Sequence, residues 1–79
     1  MLLINSAKAN AIKTKINNQL IDGITYHVVK TEGLMLHVNH DNESDEIALK
    51  VIKKFIKEMP EMKGMFLNIR IQDDKGNIR

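Results

Sequence analysis

Apolar and polar positions along this chain repeat with a period that changes from segment to segment, and each change marks an element. The stretch "ITYHVVKTEGLMLHV", residues 24–38, holds two runs rich in β-branched and aromatic residues. They meet at Lys30-Thr31-Glu32-Gly33 and predict strands over 24–30 and 34–40. A three-residue loop, Thr31-Glu32-Gly33, puts glycine where a type I turn with a G1 bulge needs positive φ. That register pairs Lys30 with Leu34, Val28 with Leu36, Tyr26 with Val38 and Ile24 with His40. One face then collects Ile24, Tyr26, Val28, Leu34, Leu36 and Val38, and the other Thr25, His27, Val29, Met35, His37 and Asn39. A two-residue turn is rejected because it mixes the faces, and parity decides burial.

Helical periods flank the hairpin. Residues 5–21, "NSAKANAIKTKINNQLI", put Ala9, Ile12, Ile16 and Leu20 on one narrow face. Asn5 or Ser6 is the expected N-cap, and Asp22-Gly23 the expected stop. The stripe is thin, and Asn10, Asn17 and Asn18 are poor helix formers. Residues 45–58 give a stronger pattern, with Asn42 or Ser44 as N-cap and the acids Glu43, Asp45 and Glu46 near the positive end of the dipole. Ile47, Ala48, Val51, Ile52, Phe55 and Met59 form its apolar face, widened by Leu49 and Ile56, and Pro60 stops it. Alternation returns in "MFLNIRIQ", residues 65–72, where Met65, Leu67, Ile69 and Ile71 should point inward.

The expected architecture is α+β, a two-layer sandwich in the order (β)αββαβ, with three or four antiparallel strands covered on one face by two helices. If "MLLI" (Met1–Ile4) is a strand, the order is the ferredoxin-like split βαβ; otherwise it is an apolar lead-in. The other sheet face stays open. At 79 residues the chain makes one small domain, and such a domain buries only about 60% of its unfolded surface.

Composition mainly excludes. Without cysteine there is no disulfide and no Cys-based zinc site. No apolar run approaches the roughly 18 residues of a membrane span, and "MLLI" lacks a basic segment before it. A cytoplasmic protein with no membrane role is expected. A net charge of +2 is too slight for a dedicated nucleic-acid clamp. Lysine outnumbers arginine, and Ile and Asn are abundant, usage associated with low-GC bacteria and their phages.

The candidate chemistry is sparse. His27 and His37 are expected directly opposite each other on the open face, but no acid accompanies them as a third metal ligand. The turn "HDNESDE" lacks the glycine and ligand spacing of a calcium loop, and helix capping accounts for it. No phosphate-binding glycine loop, nucleophile arrangement or zinc-protease motif occurs, so neither catalysis nor a cofactor is expected.

Three surfaces remain. Lys50, Lys53, Lys54 and Lys57 share the polar arc of the second helix, with Arg70 as a further cation, and could track phosphates or only solubilise the chain. The connector "EMPEMKGMF" carries Met59, Met62, Met65 and Phe66, either core filling or an adaptable contact patch, and Met62 has no obvious buried place. The open sheet face offers His27, Val29, Met35 and His37. The leading expectation is a non-catalytic protein-binding module, an inhibitor, adaptor or regulator, using that face, a strand edge or the connector. A nucleic-acid module on the lysine face is the alternative, and a homodimer closing the sheet faces the third reading.

Overall fold

Met1–Ile4, ambiguous in the sequence, supplies the strand at the heart of the sheet. The computed structural model describes residues 1–78 as β1 (Leu2–Asn5), α1 (Ala9–Ile16), β2 (Gln19–Ile21), β3 (Ile24–Glu32), β4 (Met35–His40), α2 (Asp45–Lys57), a 3₁₀ turn (Pro60–Met62) and β5 (Asn68–Ile71). The sheet order is β2-β3-β4-β1-β5, with every neighbouring pair antiparallel. β4 separates β1 from β3, and β1 separates β4 from β5. That interleaving is the split βαβ order. β2 is an added edge strand, so the sheet has five strands rather than three or four.

β2 replaces the second half of the expected first helix. α1 ends at Ile16, and Asn17 and Asn18 turn the chain, Asn18 at φ 60°. Asn17 Oδ1 accepts the Val28 N–H at 2.9 Å, and the Asn18 N–H donates to the Tyr26 carbonyl at 2.8 Å. Asparagine side chains compete with the helix for backbone partners, and here they win. Asp22 and Gly23 both have positive φ, 50° and 82°, which closes a two-residue hairpin instead of capping a helix. Leu20 therefore lies on an edge strand at 69% exposure. The start also differs. Asn5 ends β1, Lys8 is the N-cap, and the buried Ser6 Oγ accepts the Lys8 N–H.

The β3–β4 register also needs correction. The turn is Gly33-Leu34, with Glu32 opposite Met35, Thr31 opposite Leu36 and Lys30 opposite His37. A bulge between Val28 and Lys30 then shifts the ladder, so that Val28 faces Val38, His27 faces Asn39 and Tyr26 faces His40. The two-residue turn alone would have mixed the faces. The extra residue, Val29, restores even-with-even pairing, so Ile24, Tyr26, Leu36 and Val38 are buried as expected. Leu34 is in the turn and 56% exposed, so it leaves the core.

Those inward residues join Leu2, Ile4 and Ile71 beneath Ala9, Ile12 and Ile16 of α1 and Ala48, Ile52 and Ile56 of α2. The Ser44 hydroxyl caps α2 by accepting the Ile47 N–H at 3.2 Å. Ile47 itself is exposed, because the buried stripe runs through Ala48, Ile52 and Ile56 at four-residue spacing. The Tyr26 hydroxyl donates to the Ala48 carbonyl at 2.8 Å, tying sheet to helix. Burial first, then the Asp22 and Asp41 charges, push its pKa from 10.0 up to about 12. No helix among the described residues is long and apolar enough to cross a membrane.

Candidate interaction surface

Helices cover one side of the sheet only, and the registers fix what the other side carries. One row across the strands is Glu32, Met35, Asn5 and Asn68, and the next is Lys30, His37, Leu3 and Arg70. Leu3 is 4% exposed yet stands apart from the core cluster under the helices. Its cover is a shallow hollow of about 200 Å³ lined by Leu3, Asn5, Met35, Asn68, Arg70 and Ile78. Ile78 arrives there because the turn after β5 folds back, pairing Ile78 with Gln72. The hinge of that turn is Asp73, whose Oδ1 accepts the Lys75 and Asn77 N–H groups.

His27 and His37 share this side but do not oppose each other, which removes the expected two-imidazole pair. The bulge places His27 against Asn39 and His37 against Lys30. His27 Nδ1 lies 2.7 Å from Asn18 Oδ1, an acceptor only, so Nδ1 carries the proton. His37 Nε2 lies 2.8 Å from Glu32 Oε1, a contact that is an ion pair only with the imidazole protonated. Lys30 reaches the same carboxylate oxygen at 3.2 Å and, ahead of His37, holds the Glu32 carboxyl below its ordinary range. Val29, the bulged residue, is half exposed at 51%, and Met35 is partly buried. Among the described residues no group of three or more His, Asp or Glu could hold a metal ion.

The methionine connector divides. Met59 and Met62 are buried in the core at 6% and 5% exposure, so Met62 does have an interior place. The 3₁₀ turn that Pro60 initiates swings it under the helices. Only Met65 and Phe66 face solvent, at 37% and 64%. The strand expected from residue 65 begins at Asn68, with Ile69 and Ile71 inward.

Lys50, Lys53, Lys54 and Lys57 are all exposed on α2. Arg70 does not join them, because it lies across the sheet beside Leu3. Lys54 borders a depression shared with Ile21, Asp22, Phe55 and Glu58, whose carboxylates make the charge there mixed.

The most connected histidine is His40, which sequence reasoning left aside. Its side chain is 5% exposed and 6.3 Å from the Tyr26 ring, centroid to centroid. Nδ1 accepts the Asn42 N–H at 3.1 Å, so Nε2 carries the hydrogen and donates to Asp45 Oδ1 at 2.6 Å. The Met1 ammonium lies 3.4 Å from the same oxygen. Burial pushes the Asp45 carboxyl up, but the His40 hydrogen bond and the ammonium outweigh it and hold the carboxyl below its ordinary range. This cluster joins β1, β4 and the start of α2 and faces inward, which suits it to holding the fold together. The signal for it was the acid five residues after His40, read only as a helix cap.

Comparison of the chain with protein-family models, with curated proteins and with solved structures found no match.

Proposed function

We propose that this chain is a small non-catalytic interaction module of the adaptor, inhibitor or regulator kind, working in the cytoplasm, and that it meets a protein partner with the outer face of its sheet. The supporting observation is Leu3. Leu3 is held at 4% exposure on the side without helices, so the hollow over it, with Met35 and Ile78 in its wall, supplies the centre of an apolar contact. Around it stand partly buried Met35 and a polar rim of Lys30, Glu32, His37 and Arg70, with exposed Val29 beside Lys30 on β3, the core-and-rim pattern of a protein interface. The burial of Met59 and Met62 weakens the connector as a rival surface.

The test is a paired capture from the host's lysate. The parent chain is compared with a Val29→Glu/Met35→Glu variant and with a variant carrying Gln at Lys50, Lys53, Lys54 and Lys57. A partner lost only from the first variant supports the reading, and one lost only from the second contradicts it. Light scattering across a concentration range checks whether the partner is a second copy.

The exposed lysine arc of α2 favours a second reading, in which the chain binds nucleic acid. Its test is a salt series with a generic oligonucleotide, where phosphate binding weakens steeply as salt rises.

A further inference from the structure

We infer that the hollow on the outer face receives the C-terminal residue of a partner polypeptide, an apolar side chain carrying a carboxylate. The inference rests on the interaction reading above and specifies the partner's chemistry.

The walls of the hollow divide by kind. Leu3, Met35 and Ile78 are apolar, while Asn5, Asn68 and Arg70 are polar. The division follows from register. Asn5 and Asn68 are direct cross-strand partners, and Leu3 and Arg70 are partners in the next row. A guanidinium and two carboxamides therefore flank one apolar floor. The acid of this face, Glu32, stands opposite Met35 on β3, three strands from Arg70, and is already engaged by Lys30 and His37. Among the described residues no carboxylate lies within ion-pair distance of Arg70.

A planar guanidinium with no counter-ion among the described residues matches a carboxylate, which it can hold through two parallel N–H···O bonds. A single cation also suits a monoanion better than a doubly charged phosphate. The asparagine carboxamides offer both donors and acceptors, which suits the last peptide group of a chain. Size narrows the occupant further. About 200 Å³ falls below the roughly 300–1,000 Å³ of pockets that enclose drug-sized ligands. It is room for one side chain and its carboxylate. The hollow opens to solvent, so the preceding residues can run out over the sheet.

The experiment uses the full chain labelled with nitrogen-15 and the peptide acetyl-Gly-Gly-Leu, with either a free carboxylate or a C-terminal amide. The free acid should give saturable shifts at the Leu3, Asn5 and Asn68 amides and at the Arg70 Nε–H. The amide should bind at least about tenfold more weakly, as expected when a charge-assisted pair is lost. Arg70→Gln should bring the acid down to the level of the amide and leave the amide's own binding unchanged. Its amide spectrum and denaturation midpoint show that it is folded. Asn68→Asp, which adds a negative charge to the wall, should weaken the acid as well.

Equal binding of acid and amide overturns the inference, as does undiminished binding to Arg70→Gln. So does hexanoate binding as tightly as the peptide, since the site would then be one for small carboxylates. A partner that is captured through Val29 and Met35 but binds equally with its own C-terminus blocked sinks the inference and leaves the interaction reading standing. Absence of any partner that depends on the outer face sinks that reading itself.

Discussion

The two faces of this sheet are made from alternate residues of the same strands, yet they differ in kind. Inward, Leu2, Ile4, Tyr26, Leu36 and Val38 are fully buried beneath two helices. Outward, the same strands present Leu3, Asn5, His27, Met35 and His37, with one nearly dry leucine and a charged rim. The inner face is buried in one cluster with both helices, so its residues are tied to folding. No helix covers the outer leucine; side chains of its own face do, and the hollow they line is open to another molecule. Leu3 and Ile4 are neighbours in sequence, and they compare the two faces directly. Ile4→Ala should cost about 2–5 kcal/mol, the transfer term plus a cavity the helices cannot close. Leu3→Ala should cost about 1–2 kcal/mol, because an open hollow leaves no sealed void. Urea denaturation of both variants measures the difference, and equal losses would show that the outer face is as closed as the inner.

A second comparison sets the inward His40–Asp45 cluster against the outward His37–Glu32 contact. Both are histidine–carboxylate pairs. The Asp45 carboxyl is lowered in the folded chain, so the unfolded chain binds its proton more readily. The stability it contributes is present above the ordinary carboxylate range and is lost as pH falls through the folded value. Asp45→Asn should lower stability by about 1–2 kcal/mol at neutral pH and flatten the acid limb of a stability–pH curve. Glu32→Gln on the exposed rim should change both far less, because solvent screens an exposed ion pair. A larger loss for Glu32→Gln would reverse the roles assigned to these pairs.

Tyr26 probes the inner face on the alkaline side. Its pKa is raised, so the folded chain keeps a proton that the unfolded chain releases, and stability is lost as pH climbs from 10.0 toward about 12. It is the single tyrosine, with no tryptophan, so tyrosinate absorbance follows this one group. An ordinary titration in the folded chain would mean that water reaches the hydroxyl. Tyr26→Phe removes the bond to Ala48 and should cost about 1 kcal/mol.

How much of this was readable beforehand depended on the range of the interaction that decided it. α2 was legible because its cap, its acids and its four-residue stripe are local. The inward pairing of Tyr26 with the core was legible from parity, although its partner is His40 and not Val38. The two-residue turn and the bulge at Val29 cancel in parity, so alternation alone could not separate them from a three-residue loop. β2 was missed because Asp22-Gly23 serves a helix stop and a tight hairpin equally well. The deciding groups, Asn17 and Asn18, act through bonds to β3 that no local pattern records. The outer hollow was invisible for a stronger reason. Leu3, Asn68 and Ile78 meet there only through the β1–β5 pairing and the fold-back of residues 72–78. The sequence offered Arg70 as a partner for the lysines of α2, and the sheet places it on the opposite side of the molecule.

That separation yields the smallest expected effect. Lys50, Lys53, Lys54 and Lys57 are exposed, and none makes an ion pair with another described residue. Each Lys→Gln change should alter stability by no more than about 0.5 kcal/mol. If the outer face alone meets the partner, the quadruple variant should bind it as the parent does, apart from a modest fall in association rate at low salt from the lost charge. Surface plasmon resonance at two ionic strengths reads both quantities. A fall in association rate that persists at high salt would mean that the lysines touch the partner. The binding surface would then wrap from the sheet onto α2, and the contrast between the two sides of the molecule would describe the fold without locating its function.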